Sequence, residues 1–257
     1  MKQLFRSVIV LALTSFFPLM ARAELMPEVP GTEQHFFSDN GRYEITITCE
    51  KQGHSWSFSE KGKELWKQPL FDEPGEAAVS DNGETIILPL WGWRDEGGSS
   101  GIAVYDKKGE LRKKIPFAGE HPDETVLRWV RYHAISPDGS SIAIGLNGIG
   151  QAEITLFDAS TGALVWGKNT GYPVIVQIRV AQNGKFTLAA TRNETDGSMA
   201  FILFDRMGKE IWQKKTVRNF SRDVSSYVQF RSGRQEFGVF DRKTGRYIFA
   251  KLPATAN

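Results

Sequence analysis

Five repeats of about 45 residues, each made of short apolar runs and two glycine turns, predict an all-β chain. The expected fold is a β-propeller of about five four-stranded blades. The first turn reads Ser38-Asp39-Asn40-Gly41, Ser80-Asp81-Asn82-Gly83, Ser136-Pro137-Asp138-Gly139, Ala181-Gln182-Asn183-Gly184 and, degraded, Arg231-Ser232-Gly233. The second centres on Gly62, Gly109, Gly162, Gly208 and Gly245. Helix signals are nearly absent, and only 123–132 could hold one helical turn. The strand count also permits an open β-repeat array or a sandwich. Two unlike hairpins in each regular period select the propeller.

The third repeat shows the logic of every element. Residues 132–136 form strand one. Pro137-Asp138-Gly139 then turns the chain, because Pro presets φ, Asp bonds the local backbone and Gly takes the left-handed position. Residues 141–146 form strand two, 147–150 a loop, and 152–157 strand three, where Ile154 and Leu156 alternate with polar neighbours. Asp158 to Gly162 is the second hairpin and 163–166 strand four. The other repeats align as 35–38, 42–50, 55–59 and 63–70; 77–80, 84–90, 101–105 and 110–117; and 175–180, 185–191, 199–204 and 209–214. The fifth is short. Twelve residues separate Gly233 from Gly245, against 21 to 26 elsewhere, which leaves room for three strands near 225–230, 236–240 and 246–252.

Residues 1–23 read as a removable leader. Lys2 and Arg6 precede an apolar run, and Ala21-Arg22-Ala23 is a small-x-small cleavage site. The run is too short for a membrane span. The residue after the cleavage site is Glu24, so no lipid anchor is expected, and the protein is expected to be periplasmic or secreted. Residues 24–34 are a possible closing strand despite Pro27, Pro30 and Gly31, and 35–257 form the propeller. The net charge of +2 becomes −1 once Lys2, Arg6 and Arg22 are removed. No basic excess remains to attract nucleic acid. Cys49 is the only cysteine, so no internal disulfide forms. Its alternation with Tyr43, Ile45 and Ile47 puts it on a buried strand face.

Phe157-Asp158-Ala159-Ser160-Thr161-Gly162-Ala163-Leu164-Val165-Trp166 resembles the Asp-x-x-Thr-Gly-x-x-x-Trp repeat of pyrroloquinoline-quinone-type propellers. Phe204 to Trp212 and Glu60 to Trp66 are looser copies. Ile135-Ser136-Pro137-Asp138-Gly139 resembles the turn of Trp-Asp-repeat and TolB-like propellers. The resemblance implies blade-to-blade packing by these motifs and transfers no catalytic residue. Quinone-dependent members resemble larger rings, often with a vicinal disulfide that one cysteine cannot form, so no cofactor is expected. Quinone-free relatives imply binding of other proteins.

No residue pattern assembles a reaction centre. His35, His54, His121 and His133 are scattered, and neither a metal cluster nor a nucleophile motif occurs. Both hairpins of a repeat should lie on one face of the ring, and the longer variable loops on the other. Variable loops on a rigid scaffold are where binding concentrates. Two of them carry the candidate site. One holds Trp91, Trp93, Arg94, Asp95 and Glu96; the other, 118–131, holds His121, Asp123, Glu124 and Arg131. Asn193 lies in a third loop of that face. Trp and Arg are enriched at interaction hot spots. The expectation is therefore an exported, non-enzymatic propeller that binds a protein or glycan partner in the cell envelope. The alternative is a glycan-type hydrolase or lyase using Glu96, Asp123 or Glu124 with His121.

Overall fold

The computed structural model describes residues 29–70, 73–74, 76–91, 101–116, 129–147, 151–193, 195–216, 227–231, 234–241 and 244–253. Its strands fall into five antiparallel sheets in chain order, the blades of a propeller. Blade one is β1 (Glu33–Phe37), β2 (Tyr43–Glu50), β3 (Gly53–Glu60) and β4 (Lys63–Leu70). In blade two the first strand is split into β5 (Glu73–Pro74) and β6 (Ala78–Val79), both paired with β7 (Thr85–Trp91). β8 (Gly101–Asp106) and β9 (Leu111–Pro116) complete that blade. Blade three is β10 (Trp129–Ile135), β11 (Ser141–Asn147), β12 (Glu153–Asp158) and β13 (Leu164–Asn169). Blade four is β14 (Val174–Val180), β15 (Phe186–Arg192), β16 (Met199–Asp205) and β17 (Glu210–Thr216). Among the described residues blade five has three strands, β18 (Val228–Arg231), β19 (Glu236–Asp241) and β20 (Arg246–Lys251).

Side-chain alternation shows how the blades stack. Strands inside the stack are buried on both faces, as β15 and β16 are along nearly their whole length. The first blade buries one face only. Tyr43, Ile45, Ile47 and Cys49 turn inward, while Glu44, Thr46 and Thr48 lie on the outer side. Four apolar cores result, one between each pair of successive blades. Between blades five and one there is no such core among the described residues.

The hairpin glycines explain how successive blades dock. A Cβ on Gly208 would meet the Trp166 ring at 2.8 Å, and one on Gly109 would meet Trp66 at 3.1 Å. The fourth strands of blades one and three therefore lay Trp66 and Trp166 on the hairpin of the next blade, and β9 lays Lys113 there, close approaches that suit glycine. The rim of Trp66 also bonds across: its Nε1–H donates to the Lys107 carbonyl at 2.8 Å. The motif that resembled the quinone-type repeat is thus a packing device.

Two details depart from expectation. Trp129–Ile135 is strand, so the end of the 123–132 segment holds no helical turn. The Gly245 hairpin joins the second and third strands of its blade, so it sits on the face opposite the other four second-series hairpins. The loss of one strand from this blade reverses which end that turn occupies.

Candidate functional site

The first-series hairpins converge at one end of the ring and are stitched together. Within the first three turns, a Ser hydroxyl accepts the backbone N–H two residues past the glycine: Tyr43 on Ser38 at 3.0 Å, Thr85 on Ser80 at 3.1 Å and Ser141 on Ser136 at 3.0 Å. Between turns, the Asn40 N–H donates to Asp81 Oδ1 at 2.8 Å, and Asn40 Nδ2 to the Asp81 carbonyl at 2.9 Å. Asn82 Nδ2 donates to the Asp138 carbonyl at 2.8 Å, and the Asn183 N–H to Asp138 Oδ1 at 3.0 Å. Four blades are linked in sequence this way. Asn183 sits at φ 59°, a left-handed conformation that Asn tolerates.

These bonds set the local charge. Burial of Asp138 pushes its carboxyl up, but hydrogen bonds from Ser136, the Asn183 amide and Ser140 outweigh it, leaving the group below its ordinary value. Asp81 moves the other way. Burial and the neighbouring Asp39 charge raise it against the hydrogen bond from the Asn40 backbone.

The linked turns frame a cavity of about 770 Å³. Blades one and two present Asp39, Asn40 and Asp81 to it. Blades four and five present Arg179, Lys185, Arg231 and Glu236. Phe186, Phe230, Leu252 and Pro253 supply apolar wall. Two carboxylates lie on one side and three cations with one carboxylate on the other, so the cavity is polarised. Small-molecule and peptide-anchor pockets have this size and mix of an apolar wall with a few polar groups. Behind it, Gln177 Oε1 accepts the Tyr227 and Val228 N–H groups at 2.6 and 3.0 Å and ties blade five to blade four.

His133 on β10 stands beside this wall. Burial and the nearby Arg179 cation lower its pKa to about 4, against a hydrogen bond to the Glu76 backbone. It is neutral at pH 7.

Asn193, the expected site residue whose side chain is described, does not line this cavity. Trp93, Arg94, Asp95, Glu96, His121, Asp123 and Glu124 lie outside the described residues. Trp91 ends β7 and Arg131 lies in β10, with no side-chain placement described. Asn193 is described: its Oδ1 accepts the Thr195 N–H at 2.9 Å and its carbonyl accepts the Gly197 N–H at 2.9 Å, so it shapes its own loop. The cavity-lining charges were missed because the turn residues read as local. Their bonds span 41, 56 and 45 positions, which no short motif encodes. The signal was the polar residue at the second or third position of every first-series turn.

Among the described residues no group of three His, Cys, Asp or Glu side chains could hold a metal ion. Among them, too, no helix is long and apolar enough to cross a membrane. No protein-family model matches the chain, and no curated protein matches it. Solved structures do. A hydrazine synthase of Kuenenia stuttgartiensis shares 15% identity over 84% of this chain and 63% of its own, with a TM-score of 0.52. A eukaryotic initiation factor shares 14% identity over 73% of this chain and 43% of its own, with a TM-score of 0.51. The propeller of Dos1 shares 12% over 85% and 58%, with a TM-score of 0.49. The chain thus spans about two fifths to two thirds of the length of these structures. At such identities the likeness speaks to architecture, and with the five radial sheets it establishes that the chain is a β-propeller.

Proposed function

We propose that the protein is an exported, non-enzymatic propeller that binds a protein partner in the cell envelope. The supporting observation is the polarised cavity where hairpins of all five blades meet. A peptide loop carrying both a carboxylate and an amine matches cations on one wall and carboxylates on the other. The bonds between the turns of blades one to four hold the walls bearing Asp81 and Lys185 in place before binding, which lowers the ordering cost of association. Export is supported by the leader pattern of residues 1–23.

The test uses the paired reversal Lys185→Glu and Arg231→Glu, both exposed positions. The variant should stay folded and melt a few degrees lower at most, since Lys185 is an exposed charge and the Arg231 guanidinium over the Phe249 ring at 3.4 Å contributes about 0.5–1 kcal/mol. It should lose most of the partner recovered by the parent from an envelope fraction after cross-linking. Equal recovery would overturn the cavity as the contact. Turnover of polysaccharides or aryl esters by the purified parent would replace binding with catalysis.

A further inference from the structure

Among the described residues blade five stops one strand short. β20 occupies the place held by β3, β8, β12 and β16 in the other blades, where a fourth strand lies alongside. Among the described residues no strand covers β20.

The direction of its backbone groups follows from the pairing. Leu252 donates its N–H to the Gln235 carbonyl at 2.8 Å, and Phe240 donates to Tyr227 at 2.9 Å. Hydrogen-bonded and open pairs alternate along an antiparallel ladder. Gly238 and Glu236 therefore turn their backbone groups to β18. Their register partners Phe249 and Lys251 direct N–H and C=O outward, toward the place of a fourth strand.

The side chains of β20 also belong to an inner strand. Three of the four outer strands carry a pair of lysines, Lys63 and Lys67 in β4, Lys113 and Lys114 in β9, Lys214 and Lys215 in β17, and the fourth, β13, carries Lys168. Charged residues blunt a free edge. β20 instead runs Tyr247-Ile248-Phe249-Ala250 between one cation at each end, Arg246 and Lys251. Ile248 is 43% exposed.

We propose that β20 accepts an extended strand from another protein, acidic at both ends and apolar between, which completes the blade. Charge complementarity selects this occupant. Arg246 is exposed and the Lys251 side chain is 81% exposed, with Glu236 only within 3.9 Å. A second copy of this chain fits worse. Antiparallel self-pairing must set the outward-facing residues Tyr247, Phe249 and Lys251 against one another, so a register centred on Phe249 places Lys251 opposite Tyr247 and supplies no acid to either cation. Added strands gain affinity from the ladder and specificity from alternate side chains.

The experiment titrates the full chain with two fluorescent hexapeptides, Asp-Val-Thr-Ile-Val-Glu and its Lys-ended counterpart, read by anisotropy. The acidic peptide should bind at least tenfold more tightly than the Lys-ended one. Arg246→Glu with Lys251→Glu should invert that order, a rescue only folded protein can show. Hydrogen exchange should slow at Phe249 and Lys251 with the acidic peptide bound. The proposal fails if neither peptide binds up to millimolar concentration, if both bind parent and variant alike, or if protection appears away from β20. It also fails if the β20 amides of the protein alone gain protection with rising concentration, which would assign the edge to a second copy.

Discussion

Replacing His133 by Gln should make the protein less sensitive to mild acid. The folded pKa of His133 lies near 4 against 6.5 for the free side chain, because burial and the Arg179 cation disfavour the imidazolium. The sign follows from proton counting. Between those two values the unfolded chain binds more protons than the folded one, so stability falls as pH drops through that window. Linkage gives a loss of about 2 kcal/mol between pH 7 and pH 5, approaching about 3 kcal/mol by pH 4. The partial exposure of His133 makes these upper bounds. Gln keeps a donor for the Glu76 backbone but never ionises. Urea unfolding of both proteins at pH 7.0, 6.0 and 5.0 reads the difference directly, because the carboxylates they share cancel. The parent should lose about 1–2 kcal/mol more than the variant between pH 7 and pH 5. Parallel losses, or an NMR titration of His133 centred near 6.5, would refute the assignment.

Two further contrasts test the docking between blades. Gly208→Ala and Gly62→Ala place the same methyl at φ +74° and +76°, but the first drives it into Trp166 at 2.8 Å while the second meets nothing within 4 Å. Both should pay left-handed strain of about 1–2 kcal/mol, and Gly208→Ala about 1–3 kcal/mol more from overpacking, measured by denaturant midpoints. Trp66→Phe removes the Nε1–H bond to Lys107 and should cost about 1 kcal/mol. Trp166 has a buried Nε1 with no acceptor among the described residues, so Trp166→Phe should show a smaller loss in the same unfolding assay.

The repeat, its strands and its short last blade were legible because each depends on neighbours in sequence. Period-2 alternation from Tyr43 to Cys49 put the cysteine on the buried face, and it is 6% exposed there. The Asp-x-x-Gly hairpins were legible too, since the Asp158 carboxylate accepts from Ser160 and Thr161, two and three positions on. The cavity was not legible. It arises where Asn40, Asn82 and Asp138 reach turns of other blades, and a single sequence carries no sign of which turn will be adjacent. The face of the Gly245 hairpin misled for a related reason: the local turn signal is intact, but strand parity depends on how many strands precede it. Only the count of strands in the fifth blade could have corrected it.

That same deficit shapes the chain as a mechanical object. In a closed ring every blade is held on two sides, and removing one contact leaves the rest in place. Here four apolar cores serve five blades, so blades one and five are each held by one core among the described residues. Blade five is further joined through Gln177, whose carbonyl oxygen carries two backbone N–H groups. Local opening free energy falls where buried contacts are fewest. The end blades should therefore exchange their amides before β11 or β15, which are packed on both faces. The cavity spans this seam, with Asp39 on one side and Arg231 on the other. A ligand that bridges them would join the two least supported blades, so its binding energy would appear as stability of the ring. Recognition and closure are then one physical event, measurable as protection of β1 and β18 that rises together with occupancy.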